Sequence, residues 1–381
     1  MQKLTCWLVA ATISFAAISC IDKQKVSNGN VAAAGQQEVS KDLFQVQTLV
    51  KGLQNPWGMV FLPDGRMLVT ERAGSIRIIQ NDQLQAEKIQ GVPEVYARGQ
   101  GGLMDIVLHP DYRTNGWIYI SYAKPGNGGG TTTVARAKLQ GNQLVGLQEL
   151  FSVHPYINSG VHFGSRIVFD GKGYMYISTG ERGNKQNAQD LTTHNGKVIR
   201  LFDDGRVPPD NPFVNRSDAK PEIWSYGHRN IQGMVYDESK NILWAHEHGP
   251  RGGDELNIVQ KAKNYGWPLV THGKDYDGTV ISDKNTMEGI EPSIHQWTPS
   301  IAPCGMALVR GNKYKGWKGN LLVGALAHKH VARVVVNNGK YVSEEKLLDG
   351  LGRVRAVSES PDGIIYVLTE GPDQLIRLNP K

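Results

Sequence analysis

The sequence predicts an all-β fold, a six-bladed β-propeller of four-stranded antiparallel blades whose ring is closed by the N-terminal strand. Three observations carry this. One unit recurs: a strand, a Pro-Asp-Gly-type turn and a second strand, often with another strand following. Six copies occur at spacings of roughly 50 to 70 residues, the period that four-stranded blades require. No stretch with helical periodicity is long enough to compete. The 44 glycines and 18 prolines suit the many tight turns this design needs, and eight tryptophans and 14 tyrosines suit a sheet-rich core.

In chain order, residues 44–50 alternate apolar and polar, the pattern of a half-buried strand. Residues 57–62 then lead through Pro63-Asp64-Gly65 to residues 67–70 and 75–79. The next copies pair residues 103–108 with 117–121, and 166–170 with 174–178 and 197–201. Residues 232–237 pair with 242–245, and 304–309 with 320–324. Residues 355–359 run through Ser360-Pro361-Asp362-Gly363 to 364–369. Pairing residues 44–50 with the last blade removes an open sheet edge.

Ahead of the propeller, residues 1–19 read as a signal peptide: Lys3, an apolar run from Leu8 to Ile18, then small residues. Ala17-Ile18-Ser19-Cys20 resembles a lipoprotein cleavage box, with Ala17 where leucine is usual, so Cys20 is expected to carry lipid. The alternative is an ordinary cleaved signal. Residues 20–42 read as a flexible tether, and residues 43–381 as the catalytic propeller. Export to the periplasm or cell envelope follows, with membrane contact only through the lipid. Processing would leave Cys304 as the one free thiol, so no intramolecular disulfide is expected. The net charge of +6 is spread out with no basic run, which argues against nucleic acid and fits a few cations at a site for an acidic ligand.

Five segments are richer in Gly, His, Arg and acidic groups than turns need: Arg98-Gly99-Gln100-Gly101-Gly102, residues 159–166 around His162, residues 226–233, residues 247–255, and Gly352-Arg353-Val354-Arg355. Equivalent places in equivalent blades share one face, so these loops are expected to converge at the channel mouth. His162, between Gly160 and Gly164 and just before a strand-like run, is the candidate general base.

These motifs, with Asn264-Tyr265-Gly266-Trp267-Pro268, resemble the soluble pyrroloquinoline-quinone (PQQ)-dependent sugar dehydrogenases, the glucose/sorbosone dehydrogenase family. The likeness is closest to its aldose sugar dehydrogenase branch and runs from about Phe44 to the C-terminus. It implies a quinoprotein oxidoreductase that oxidises the anomeric carbon of an aldose to a lactone and passes electrons to an external acceptor. The resemblance makes His162 the base and a contact of substrate and cofactor, with Gln100 near both. Arg229 and Asn230 would bond the quinone's reactive edge, Arg229 thereby serving catalysis. The Gly249 and Pro250 carbonyls would hold a Ca²⁺ at the cofactor. Arg353 and Arg355 would pair with cofactor carboxylates, and Glu255 and Tyr265 would bind a second, structural Ca²⁺.

The chemistry suits these roles. A hydride leaves carbon only as the attached hydroxyl loses its proton, and a neutral imidazole serves that step. Charge gathering on a quinone is stabilised by a guanidinium and a hard cation. Glucose-type members place an aspartate immediately before the base. Here that residue is Val161, which implies a broader or different aldose range. They also use a lysine on a late blade, and the nearest one here, Lys329, is out of simple register.

Other readings stay open on residues alone. Arg353 and Arg355 could be a solvated strand face. His246 with His248, or His328 with His330, could bind a transition metal, although neither pair has a third ligand at useful spacing. His228 is left unassigned. The competing functions are a Ca²⁺-dependent lactonase-type hydrolase and a non-catalytic carbohydrate-binding propeller. A covalent haem is excluded as acceptor, because no Cys-x-x-Cys-His occurs.

Overall fold

Apolar runs buried on both faces need neighbours on both sides, and a ring of blades supplies them. The computed structural model describes residues 43–126 and 129–381; the leader, the tether and Cys20 lie outside the described residues. Within them, 24 strands form six four-stranded antiparallel sheets. Helix is confined to single turns, Tyr112–Asn115 and the 3₁₀ turn Lys185–Ala188.

The innermost strands are Pro56–Phe61, Leu103–Leu108, Ile167–Phe169, Ile231–Asp237, Pro303–Leu308 and Arg353–Glu359, here blades 1 to 6. Each packs against the next around the axis. Second strands such as Met67–Glu71 are buried throughout, whereas outer strands such as Gln83–Ile89 are largely exposed. An apolar wedge fills each gap between blades; Leu68 and Ile76 of blade 1, for example, meet Ile106 and Ile120 of blade 2. The expected closure is present. Phe44–Lys51 pairs antiparallel with Gln374–Pro380, and Phe44 packs edge-on against Trp317 of blade 5 at 5.7 Å.

One irregularity repeats. The inner strands of blades 1, 2, 4, 5 and 6 each slip register near the same end: between Pro56 and Met59, Leu103 and Ile106, Ile231 and Gly233, Cys304 and Met306, and Val354 and Ala356. A β-bulge turns the extra residue's side chain out of the pleat. The bulged stretches hold Trp57, Asp105, Gln232 and Arg355, and all four meet one side chain, Arg166 of blade 3.

The Arg166 guanidinium lies 3.9 Å from the Trp57 ring centre. It donates to Asp105 Oδ1 (3.2 Å), the Gln232 carbonyl (2.8 Å) and the Arg355 carbonyl (3.4 Å), and contacts Cys304 Sγ at 3.8 Å. Every blade therefore meets at one buried cation. Asp105 also accepts the Ile167 N–H at 3.0 Å, which fixes the start of the blade 3 strand. Burial pushes the Asp105 carboxyl up despite the guanidinium beside it.

Removing one partner of a buried ion pair strands the other. Arg166→Met should destabilise the propeller by about 3–5 kcal/mol in denaturant unfolding. Adding Asp105→Asn should recover part of that loss. A single variant as stable as wild type would show that the ring does not depend on this contact.

Candidate active site

In an up-and-down blade, the links between blades and the turns from second to third strand emerge at the same end. His162, Gln100, Arg229, Asn230 and Arg353 lie in or beside links between blades, and Gly249-Pro250 lies in a second-to-third turn of blade 4. The five segments singled out in the sequence do converge.

His162 lies in the loop before Ile167–Phe169, with φ +54°, the left-handed region that costs a non-glycine residue energy. Several contacts hold it there. Its N–H donates to Gln100 Oε1 at 2.8 Å. Arg182 donates to the Val161 and Ser159 carbonyls (both 2.5 Å) and to those of Gly130 and Ile157 (3.2 and 3.3 Å), while its guanidinium stacks 3.5 Å from the Phe163 ring centre. Gly180 lets the next turn close in, since a Cβ there would lie 2.0 Å from the His162 carbonyl oxygen.

Nδ1 of His162 is 2.6 Å from Glu181 Oε2. That oxygen also accepts the Gly183 N–H at 2.6 Å, so it acts as an acceptor and the shared proton sits on Nδ1. Nε2 keeps its lone pair. Burial lowers the His162 pKa, the Glu181 hydrogen bond partly opposes this, and the Arg229 charge adds to it. The result is a neutral, oriented imidazole with one basic nitrogen.

Beside it lies a cavity of about 280 Å³, lined among others by Trp57, Met104 and Phe163 and by the predicted Gln100, Asn230, Arg353 and Arg355. Trp57, Gln232 and Arg355 belong also to the Arg166 junction. Asn230 Oδ1 accepts the Gly164 N–H at 3.1 Å, and no partner takes its amide protons among the described residues. Arg355 Nε donates to Glu370 at 2.7 Å, and its Nη1 reaches Cys304 Sγ at 3.2 Å. Arg353, nearly half exposed, shares Glu370 at 3.6 Å. The two arginines are thus neither equivalent nor simply solvated. Lys329 is exposed and does not line the cavity.

Arg229 sits next to this cavity. Its Nη1 donates to the Gly249 carbonyl (2.9 Å) and the His248 carbonyl (3.2 Å). The Gly249 oxygen keeps one lone pair, and the Pro250 carbonyl has no donor among the described residues, so both remain open to a cation. Asp254 braces this turn by accepting the Gly249 N–H at 2.8 Å, and burial pushes its carboxyl up to about 6.

Glu255 and Tyr265 line a separate cavity of about 380 Å³. Burial and the neighbouring Glu247 charge raise the Glu255 carboxyl. Asn257 Nδ2 donates to both carboxylates, at 3.3 and 3.2 Å, while its Oδ1 is buried with no partner. Two repelling carboxylates and an orphaned amide oxygen are a donor set that a hard cation satisfies. The Tyr265 hydroxyl is engaged, donating to the Ile258 carbonyl at 2.5 Å, which leaves its backbone carbonyl as the available ligand. Glu247 ties this place to the first cavity, for it also accepts the Arg229 N–H at 2.6 Å and bonds His228 at 2.9 Å. His228 is therefore a brace. His246 and His248 bond the Gly305 and Pro303 carbonyls, and His330 bonds the His328 carbonyl; among the described residues neither pair gathers further metal ligands.

Glu181, Arg182 and Glu370 escaped the sequence reading, and Glu247 was singled out with its segment but given no role. For Glu181 and Arg182 a signal existed. Thr179-Gly180-Glu181-Arg182-Gly183 is a Gly-flanked charged turn after a blade's second strand, the criterion that found residues 247–255.

Ca²⁺ should raise the thermal midpoint of the wild type by several degrees at about 100 Kd, where linkage supplies about 2.7 kcal/mol. Glu255→Gln should flatten that response. A wild-type midpoint indifferent to Ca²⁺ and to chelator would take the cation away from this place.

Known proteins resemble this chain in sequence and in fold. The sequence profile described as Glucose / Sorbosone dehydrogenase matches residues 53–377. An aldose sugar dehydrogenase of Escherichia coli is 42% identical over 344 residues, covering 88% of this chain and 93% of that protein. The crystal structure of the soluble apo-form aldose sugar dehydrogenase from Escherichia coli superposes with a TM-score of 0.84 at 41% identity, covering 89% of this chain and all of that one. The PQQ-bound aldose sugar dehydrogenase of Streptomyces coelicolor gives a TM-score of 0.73 at 27% identity, covering 89% and 98%. The chain belongs to the glucose/sorbosone dehydrogenase family.

Proposed function

We propose that this protein is a quinoprotein that oxidises aldose sugars at the anomeric carbon to lactones, with PQQ and Ca²⁺ held in the axial cavity. The observation that carries this reading is the His162 imidazole bonded to Glu181 beside a cavity rich in guanidinium groups. When bound, PQQ supplies the two-electron acceptor for the hydride, and Ca²⁺ supplies a Lewis acid at its oxygens. The family relatives named for aldose oxidation and for bound PQQ support the same assignment.

His162 Nε2 takes the proton of the anomeric hydroxyl, and Glu181 holds the tautomer and steadies the imidazolium that forms. Arg182 keeps the loop in its strained turn. Arg229 and the free amide of Asn230 offer donors where negative charge gathers. Gln100, in the cavity wall, accepts the His162 N–H and so ties its own loop to that of the base. Arg353 and Arg355 offer forked donors to carboxylates, although each shares Glu370. The Gly249 and Pro250 carbonyls offer hard oxygens to one cation, and Glu255, Glu247, Asn257 and the Tyr265 carbonyl to a second, structural one. Trp57, Met104 and Phe163 wall the cavity against water.

A hydrolase would want several free carboxylates at the axis. The only one lining this cavity among the described residues, Glu370, is already paired with arginine. Val161 supports an aldose range not set by a carboxylate at that place. The leader and Cys20 support export and a lipid anchor, with electrons passing to an external acceptor.

The test is aldose-dependent dye reduction by apo-protein given PQQ and Ca²⁺. Turnover is expected, and its absence with every aldose sinks the assignment. His162→Ala should cut kcat by on the order of 10²–10⁴-fold while PQQ still binds. Because burial lowers the His162 pKa, its basic form persists in acid, so the acid limb of kcat/KM should fall below the ordinary histidine value of about 6.5. Glu181→Gln should also lose at least about tenfold in kcat, through the wrong tautomer. A limb at or above that value in the wild type would assign the base elsewhere.

A further inference from the structure

Arg72 is a cavity residue that neither the motifs nor the roles above use. It opens the turn between Met67–Glu71 and Ser75–Gln80 of blade 1, at the same end as His162. Its backbone is fixed on both sides: the N–H donates to the Asn55 carbonyl at 3.1 Å, and its carbonyl accepts the Leu103 N–H at 2.9 Å. The side chain then passes over Gly102. A Cβ at Gly102 would lie 2.7 Å from Arg72 Cγ and 2.0 Å from its carbonyl oxygen, at a φ of +136°. The last glycine of the Arg98–Gly102 motif therefore keeps the path of Arg72 open.

That path ends in the cavity, which Arg72 lines together with Arg353, Arg355 and Glu370. The other arginines at the axis have partners: Arg355 and Arg353 share Glu370, Arg166 holds Asp105, and Arg229 donates to the Gly249 carbonyl. The half-buried Arg72 guanidinium makes no hydrogen bond or close ion pair among the described residues, although its charge joins those of Arg355 and Arg353 in holding the Glu370 carboxyl low. Five donors on a fixed fork, beside a partly desolvated cavity, call for an anion with two oxygens. The charge count agrees, since three guanidiniums (Arg72, Arg353, Arg355) face one carboxylate (Glu370), a surplus of two positive charges.

We propose that Arg72 is a third cofactor-binding guanidinium, and that it grips a carboxylate of the tricarboxylate quinone other than those held by Arg353 and Arg355. This rests on the quinone reading. It gives blade 1 a charged group in a site whose other charged groups come from blades 3, 4 and 6. It also explains why the cavity's cations exceed the needs of its own carboxylate.

The experiment is PQQ binding to apo-protein with Ca²⁺ present, followed by calorimetry and by protein fluorescence, with the thermal midpoint measured on each variant. Arg72→Met should raise Kd by about 10–100-fold, the loss expected for one charge-assisted fork, with the apo midpoint unchanged. Arg72→Lys keeps the stem and charge and loses only the fork, so it should fall between, and it separates binding from any effect on folding. Among the three monomethyl esters of PQQ, one should bind wild type and Arg72→Met with equal Kd. An Arg72→Met protein that binds PQQ with the wild-type Kd overturns the proposal and leaves the functional reading standing. A wild type that does not bind PQQ overturns both.

Discussion

The Arg166 guanidinium, buried on the propeller axis, is the contact on which the rest of the molecule depends. It meets an indole, a carboxylate, a thiol and two carbonyls, one group from each of the other five blades. A propeller axis is where strands converge and side chains run out of room. Apolar packing could fill it, but a charge imposes a demand for particular partners in particular directions. Five bulged inner strands meet that demand. The same bulges place Trp57, Gln232 and Arg355 in the wall of the cavity, so the junction that orders the ring also shapes the site.

Above that junction, polar side chains brace backbone more often than they face the cavity. Glu181 fixes the imidazole, Arg182 the loop that carries it, Asp254 the Gly249-Pro250 turn, and Glu247 the Arg229 backbone. Each is buried and ionisable, and each spends its hydrogen bonds on a neighbour that chemistry needs held still. Such preorganisation is where catalytic proteins gain most, because the dipoles are aligned before charge moves. The Glu247–Asn257–Glu255 cluster extends this outward. A cation there would relieve the carboxylate repulsion and, through Glu247, stiffen Arg229.

How far the sequence could be read follows from what each feature needs. Blade strands showed themselves because burial on both faces demands continuous apolar runs, and turns because Pro-Asp-Gly fits tight reversals. The outermost strand at residues 44–50 showed itself by alternation in the sequence, although of its apolar face only Phe44 and Val50 are buried and Val46 is exposed. The candidate site was legible where glycine and charge crowd into loops, as at Gln100, His162 and Arg229. It was illegible where an ordinary charged residue does the work, as at Arg72 and Glu370. Nothing local separates those from a solvated surface charge. Arg353 and Arg355 show the limit from the other side. Two residues apart on one strand, they looked equivalent, yet a bulge at Arg355 buries one while the other stays half in water.

By itself the sequence determined the number of blades, the order of their strands, the closure of the ring and the loops that bear the chemistry. Periodicity, turn chemistry and composition act within a few residues and are written along the chain. Tertiary structure alone decided the register slips at the axis, the pairing of His162 with Glu181, the Arg72 guanidinium left without a hydrogen bond among the described residues, and the orphaned Asn257 oxygen between two carboxylates. Those depend on which distant groups share a buried volume, and hydrogen-bond and charge satisfaction in that volume is a property of the closed ring.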